Sequence, residues 1–195
     1  MARCGWAGDD PLMVAYHDDE WGLPVHDEQR LFEMLCLEGA QAGLSWATIL
    51  RRREGYRAAY EGFDAVRMAA WDGDRQARLL ADTRIIRNRA KVRAFRDNAI
   101  AVLRLREEEG GLTALLWSAV GGTPIVNRFA RLAELPARTA LSDELARALA
   151  ARGFRFVGPV IVYAYLQSIG VVNDHLLGCF RHPESASGDA AASLG

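Results

Sequence analysis

From residue 34 to residue 50 the chain runs through seventeen positions with a single charge, Glu38. In a helix, Leu31, Met34, Leu35, Glu38 and Ala42 share one stripe, so the carboxylate lies on the face that turns to the interior. An unpaired carboxylate in an apolar site costs several kcal/mol or takes up a proton. Glu38 therefore requires either internal donors, such as neighbouring backbone N–H groups, or a ligand that brings donors or positive charge. The helix alone leaves both readings standing, since structural networks perturb carboxylates as well.

Around this stretch, 195 residues with half of them apolar suffice for one substantial core, or for two small lobes sharing one. A net charge of −1 gives no global signature of nucleic-acid binding, so any such contact rests on local basic patches. Of the 24 basic residues only Lys91 is a lysine. No apolar run reaches the roughly 20 residues of a membrane span and no charged-then-apolar leader opens the chain, so a cytoplasmic protein is expected. Three widely spaced cysteines do not make a secreted disulfide framework.

The spacing predicts an all-α fold. The first 26 residues read as an irregular, aromatic arm. Asp27 caps a predicted helix over 28 to 43, and further helices are expected over 45 to 60, 65 to 71, 83 to 108, a short segment around Trp117, 142 to 152 with Ser142 as its cap, and 159 to 168. Residues 1 to 182 read as one domain, with a flexible tail over 183 to 195.

Several residue groups carry chemistry. Cys4 and His17 near one end, with His175 and Cys179 spaced i, i+4 near the other, can supply a tetrahedral Cys2His2 zinc site that staples the termini. Spacing leaves two alternatives open, four independent residues or a Cys4–Cys179 disulfide, and His182 competes as a ligand. His26 reads as a surface histidine. The glycine-bounded segment Gly153-Phe154-Arg155-Phe156-Val157-Gly158 resembles the turn of a helix-hairpin-helix, whose free N–H groups at the second helix can bind a phosphate without reading sequence. Phe154, Phe156 and Val157 serve equally as core anchors. The basic run over 84 to 96, and Arg51-Arg52-Arg53, read as solvated helix faces. Trp6, Tyr16, Trp21 and Trp46 beside a buried carboxylate would suit a flat cationic ligand, worth about 2 kcal/mol through the aromatic faces. Cys36, in an apolar run with no nearby histidine, is a poor nucleophile.

Arg3-Cys4-Gly5-Trp6, Tyr16-His17-Asp18, Glu20-Trp21-Gly22, Leu37-Glu38-Gly39, Gln41-Ala42-Gly43-Leu44-Ser45-Trp46, the hairpin segment and Val172-Asn173-Asp174-His175 together resemble the 3-methyladenine DNA glycosylase I family, of the constitutive type. The resemblance implies a helix-hairpin-helix glycosylase fold and excision of 3-methyladenine from alkylated double-stranded DNA. It also implies a structural zinc ion on Cys4, His17, His175 and Cys179, and a base pocket of Glu38, Tyr16 and Trp46 with Trp6 and Trp21 close by. The expected partner is DNA, with no membrane and no nucleotide cofactor, and a monomer is the default. Gly43 and Leu44 are expected to fill the gap left by a flipped base, and Gly153, Phe154, Arg155 and Gly158 to meet the DNA backbone. A lyase step would need an amine, for which Lys91 is the sole side chain, so a monofunctional enzyme is expected. Met13 stands where family members often carry Tyr, removing one pocket hydroxyl. Asp174, sixteen residues past Gly158, is expected to support the zinc ligands rather than to act on the substrate.

Overall fold

The computed structural model describes residues 2–185, which are mostly helical. Its centre is α2 (Glu28–Gln41), capped by the Asp27 carboxylate on Arg30 N–H at 2.8 Å. Every residue from Leu31 to Ala40 is buried, Glu33 and Glu38 included. Such all-round burial requires neighbours on every side. They are α3 (Trp46–Ala59), α6 (Arg89–Glu109), α7 (Gly111–Ser118) and α9 (Pro159–Ser168). The Glu28 carboxylate also caps α7, accepting from Leu112 and Thr113 N–H at 3.1 and 2.6 Å.

The predicted helices stand with shifted ends. The arm expected to be irregular contains α1 (Pro11–Asp19), started by Asp10 on Leu12 N–H and by Pro11 at its first position. Between α4 (Ala65–Ala69) and α6 lies an unanticipated α5 (Gly73–Ala81), capped by Asp72. The helix expected from residue 83 begins at Arg89. Asp82 accepts from Arg84 N–H at 2.9 Å and Asn88 caps Lys91 N–H at 3.1 Å, so side chains take the backbone donors a longer helix would use. Helix α8 (Ala140–Ala151) is capped by Thr139, with Ser142 completing the capping box from inside the helix. Two parallel two-residue strands, β1 (Ile125–Val126) and β2 (Val172–Asn173), interrupt the all-α pattern and pair Ile125 with Val172.

Ion pairs tie α1 to this frame. Glu20, just past α1, accepts from Arg53 of α3 at 2.6 and 2.8 Å and from Arg30 of α2, while Arg51 reaches Asp10. The chain after α1 then runs along the end of α9, with Gly22 N–H on Gln167 O and Val25 N–H on Ile169 O, both at 3.0 Å. At Gly170, where φ is +70°, a Cβ would stand 2.3 Å from the Leu23 backbone, so only glycine admits this crossing. The tail expected from residue 183 falls outside the described residues from 186 onward, and Ser185 Oγ still donates to Leu177 O at 2.6 Å.

Candidate active site and metal centre

A cavity of about 300 Å³ opens between α1, α2 and α9. It is lined by Trp6, Met13, Tyr16, Trp21, Glu38, Gln41, Trp46, Leu135, Ala164 and Gln167. Trp6 and Trp21 meet edge to face at 4.9 Å between ring centroids, and Tyr16 and Trp46 lie tilted at 5.1 Å. Glu38 is 4% exposed. Burial pushes its carboxyl up to about 8, opposed by the Ser168 hydroxyl, whose own 2.8 Å hydrogen bond goes to Tyr165 O. Burial and then Glu38 hold the Tyr16 phenol well above its ordinary range, so it stays a donor. Trp46 Nε1 has no hydrogen-bond partner among the described residues.

Behind this cavity, Cys4, His17, His175 and Cys179 converge, all buried, with one donor atom from each within 4.8 Å of the others. Cys4 Sγ lies 3.6 Å from His175 Nδ1, and Cys179 Sγ lies 3.5 Å from His175 Nδ1 and 3.4 Å from His17 Nε2. A tetrahedral ion bonded to sulfur at about 2.3 Å and to nitrogen at about 2.0 Å needs donor–donor edges of roughly 3.5 Å, so the set fits a four-coordinate soft cation. The cysteines are unbridged. Burial pushes the Cys4 thiol up to about 12 and His175 down to about 4; a bound cation would favour the thiolate and find the imidazole neutral.

The far ring nitrogens are also committed. His175 Nε2 donates to Trp21 O at 3.0 Å, and His17 Nδ1 donates to Asp18 at 2.7 Å. Arg3 forks onto the same carboxylate at 2.7 to 2.9 Å, and its guanidinium, with His17, holds Asp18 down to about 2. These bonds leave His175 Nδ1 and His17 Nε2 with lone pairs for a metal. His182 stands apart, its Nε2 on Asn127 O at 3.1 Å.

The hairpin joins α8 to α9. Gly153 has φ +91°, Phe154 is buried, and Gly158 caps α9 ahead of Pro159. From α6, buried Asn98 clamps the turn on both sides, accepting from Arg155 N–H at 2.6 Å and donating to Arg155 O at 3.1 Å. Gly39 leaves room for Phe156, whose Cβ would stand 3.3 Å from a Cβ there. Past the C-terminal end of α2, Gly43 at φ +79° and exposed Leu44 form the loop to α3.

A model of the methyladenine glycosylase family matches residues 6–182. The chain belongs to that family. It is 48% identical over 183 residues to DNA-3-methyladenine glycosylase 1 of Escherichia coli K12, covering 94% of this chain and 98% of that one. A crystal structure of 3-methyladenine DNA glycosylase I superposes with a TM-score of 0.91 at 49% identity, covering 93% of this chain and all of the other. The Staphylococcus aureus 3-methyladenine DNA glycosylase I, solved to define 3-methyladenine recognition, gives 0.90 at 32% identity, with 93% and 96% covered.

Within this family member, all five pocket residues read from the sequence line the one cavity, and the four metal-ligating candidates form one cluster. Asp174 is a correction: its carboxylate serves Asn127, Tyr163 and Gln167, and the carboxylate behind the histidines is that of Asp18. Lys91 is another. It is buried, and its Nζ donates to Ala40 O and Ala42 O at 2.7 and 2.8 Å, closing the C-terminal end of α2. The rest of its basic run divides, with Arg84 paired to Asp82 and Arg87, Arg89 and Arg93 exposed. Gln41, Leu135, Ala164, Gln167 and Asn98 were missed as site residues. Gln41, three residues after Glu38, shared its helical face and was open to being found; the others are brought in by tertiary packing.

Proposed function

We propose that this protein is a DNA repair glycosylase that excises 3-methyladenine from alkylated duplex DNA and leaves an abasic site. The observation that carries the reading is Glu38, a carboxylate buried in a cavity of aromatic faces whose lining, among the described residues, includes no cationic side chain. Methylation at N3 makes the adenine positively charged, so such a cavity binds the damaged base in preference to a neutral one.

Reaching the cavity requires extrusion of the nucleotide from the stack. Leu44, exposed on the loop beside the mouth, fills the space it leaves, and the hairpin between α8 and α9, with Gly153, Phe154, Arg155 and Gly158, holds the backbone. Glu38 then accepts hydrogen bonds from the base while Tyr16 and Trp46 pack its faces and Trp6 and Trp21 close the walls. The C1′–N9 bond breaks with its electron pair leaving on the base, which becomes neutral, and the sugar passes through an oxocarbenium-like state. Water adds hydroxide to C1′ and gives up its proton. The Lys91 amine is held on the carbonyls at the end of α2, which supports a monofunctional enzyme without a lyase step.

Zinc is the reading favoured for the Cys2His2 cluster. All four positions would be filled by protein, so the ion would act as a structural staple between residues near the two ends of the chain. Residues 1 to 182 are read as one catalytic unit, working as a monomer without a nucleotide cofactor. Among the described residues no helix is long and apolar enough to cross a membrane.

The test is to incubate the protein with methylated duplex DNA and identify released bases by chromatography, with Glu38→Gln in parallel. Release of 3-methyladenine that falls at least tenfold in the variant is expected, the loss of one buried charge partner. A folded, DNA-binding protein that releases no base would defeat the reading.

A further inference from the structure

Two grooves meet at the hairpin, and α6 supplies one wall of both. The first lies between Ala90, Arg93, Ala94 and Asp97 of α6 and the hairpin residues Arg155 and Phe156. The second continues along α6 from Asp97 past Ala101 to Arg104, with Arg152, Gly153 and Arg155 from α8 and the hairpin. Positions 90, 94, 97, 101 and 104 recur at helical spacing and form one stripe. Alanine at 90, 94 and 101 keeps the stripe low, which leaves room beside Arg93 and Arg104 for a bulky anion. The positive charge there is not neutralised. Arg93, Arg104 and Arg155 are exposed, and none of their guanidinium groups has an ion-pair partner among the described residues. Their neighbours are paired, Arg84 with Asp82 at 2.7 Å and Arg152 with Glu109 at 2.5 Å. Asp97 is the one acid lining either groove among the described residues, and Arg96 stands 4.0 Å from it. Packing fixes the stripe against both segments that the functional reading gives to DNA. Asn98, next to Asp97, clamps the Arg155 N–H and carbonyl, and Lys91 Nζ holds Ala40 O and Ala42 O just ahead of Gly43 and Leu44.

We propose that the α6 stripe carrying Arg93 and Arg104 extends the DNA-contact surface beyond the hairpin and takes backbone phosphates of the duplex. The inference rests on the reading of the protein as a glycosylase acting on duplex DNA. Eleven residues of helix set the two arginines about 16 Å apart along α6, too far to converge on one free anion. That separation suits a polyanion whose charges repeat along a line, so the two meet different phosphates. Arg155, which lines both grooves, joins the stripe to the hairpin. Such contacts fix the register of the protein on the duplex without reading its sequence. The basic run around α6 therefore divides by function: Arg84 and Arg96 stand beside acids of the chain, and Arg93 is left for the DNA.

The experiment follows binding of a labelled duplex carrying an uncleavable abasic-site analogue to the full-length, metal-loaded protein by fluorescence anisotropy, across roughly 50 to 200 mM salt. Arg93→Gln and Arg104→Gln each remove one charge from an exposed position. Each should make the plot of log Kd against log salt shallower by about 0.9, and the double variant by about 1.8. Arg106→Gln, exposed on the same helix but outside both grooves, should leave the slope at the wild-type value. Excision of 3-methyladenine at saturating DNA should run at the wild-type rate in all of them, while the KM for duplex rises in the groove variants alone. An unchanged slope in Arg93→Gln or Arg104→Gln, or an equal loss in Arg106→Gln, overturns the assignment. A wild-type protein that releases no base, yet whose groove variants lose slope as expected, removes the parent reading and leaves the DNA surface supported.

Discussion

Glu38 shows how far a single residue's surroundings can set chemistry. Its carboxyl lies at about 8 in the free protein because burial penalises the charge. A cationic base favours the ionised form, so binding it releases a proton wherever Glu38 begins protonated. The sign follows directly. Below pH 8 the cation must first displace that proton, so kcat/KM should fall about tenfold for each pH unit down from 8 and level off above it. Tyr16, raised well above its usual range, contributes no ionisation in that window. Measuring 3-methyladenine release against pH, corrected for spontaneous loss, tests this, and Glu38→Gln should flatten the profile. A wild-type profile that is flat between pH 6 and 8 would refute the ionised-Glu38 mechanism.

At the scale of elements, the site depends on how α2, α6, α9 and the strap after α1 are held together. Removing Asn98 with Ala leaves Arg155 N–H and Arg155 O without their shared clamp, at a cost of roughly 1–3 kcal/mol. Because Asn98 is not among the residues that line the cavity, Asn98→Ala should weaken duplex binding while free 3-methyladenine binds as before. Fluorescence titrations with each ligand separate the two. Gly170→Ala acts differently. It adds about 1–2 kcal/mol of left-handed strain to a collision with the Leu23 backbone, so the strap carrying Trp21 must shift. Urea unfolding should show a lower midpoint, and base binding should fail along with it. These two dependences also mark the limit of what the sequence made legible. The apolar run around Glu38, the Asp27 cap and the glycine-bounded hairpin were readable because cap and period are local. α1, α5 and the true start of α6 were obscured because short side-chain caps at Asp10, Asp72 and Asn88 decide them. Asn98 and Gln167 carry no local signal; what they touch lies 57 residues away at Arg155 and, for Gln167, across a turn at Asp174.

Across the whole molecule, the Cys2His2 cluster joins two stretches that the chain separates by more than 150 residues, and a histidine from each packs against a cavity tryptophan, His17 against Trp6 and His175 against Trp21. Trp6 and Tyr16 flank Cys4 and His17 in sequence, and the Trp21 carbonyl receives His175 Nε2–H at 3.0 Å. A metal there would hold the aromatic walls to the end of α9, so its removal should be felt in the pocket as well as in stability. Residue spacing raised zinc among alternatives and the family resemblance singled it out; the donor spacing and the outward bonds of both histidines supply an independent argument that the cluster suits a four-coordinate metal. Elemental analysis of the purified protein should give one zinc per chain. Chelation under mildly destabilising conditions should lower the thermal midpoint and loosen 3-methyladenine binding together, and restored zinc should return both. Asp18→Asn, which weakens the acceptor for His17 Nδ1–H, should reduce metal affinity about 10–100-fold while leaving Glu38 and its cavity in place. At saturating zinc this variant should therefore excise 3-methyladenine at the wild-type rate. If excision stayed low when zinc was fully bound, Asp18 would be acting on the pocket itself, and the separation of a structural metal from a catalytic cavity would have to be abandoned.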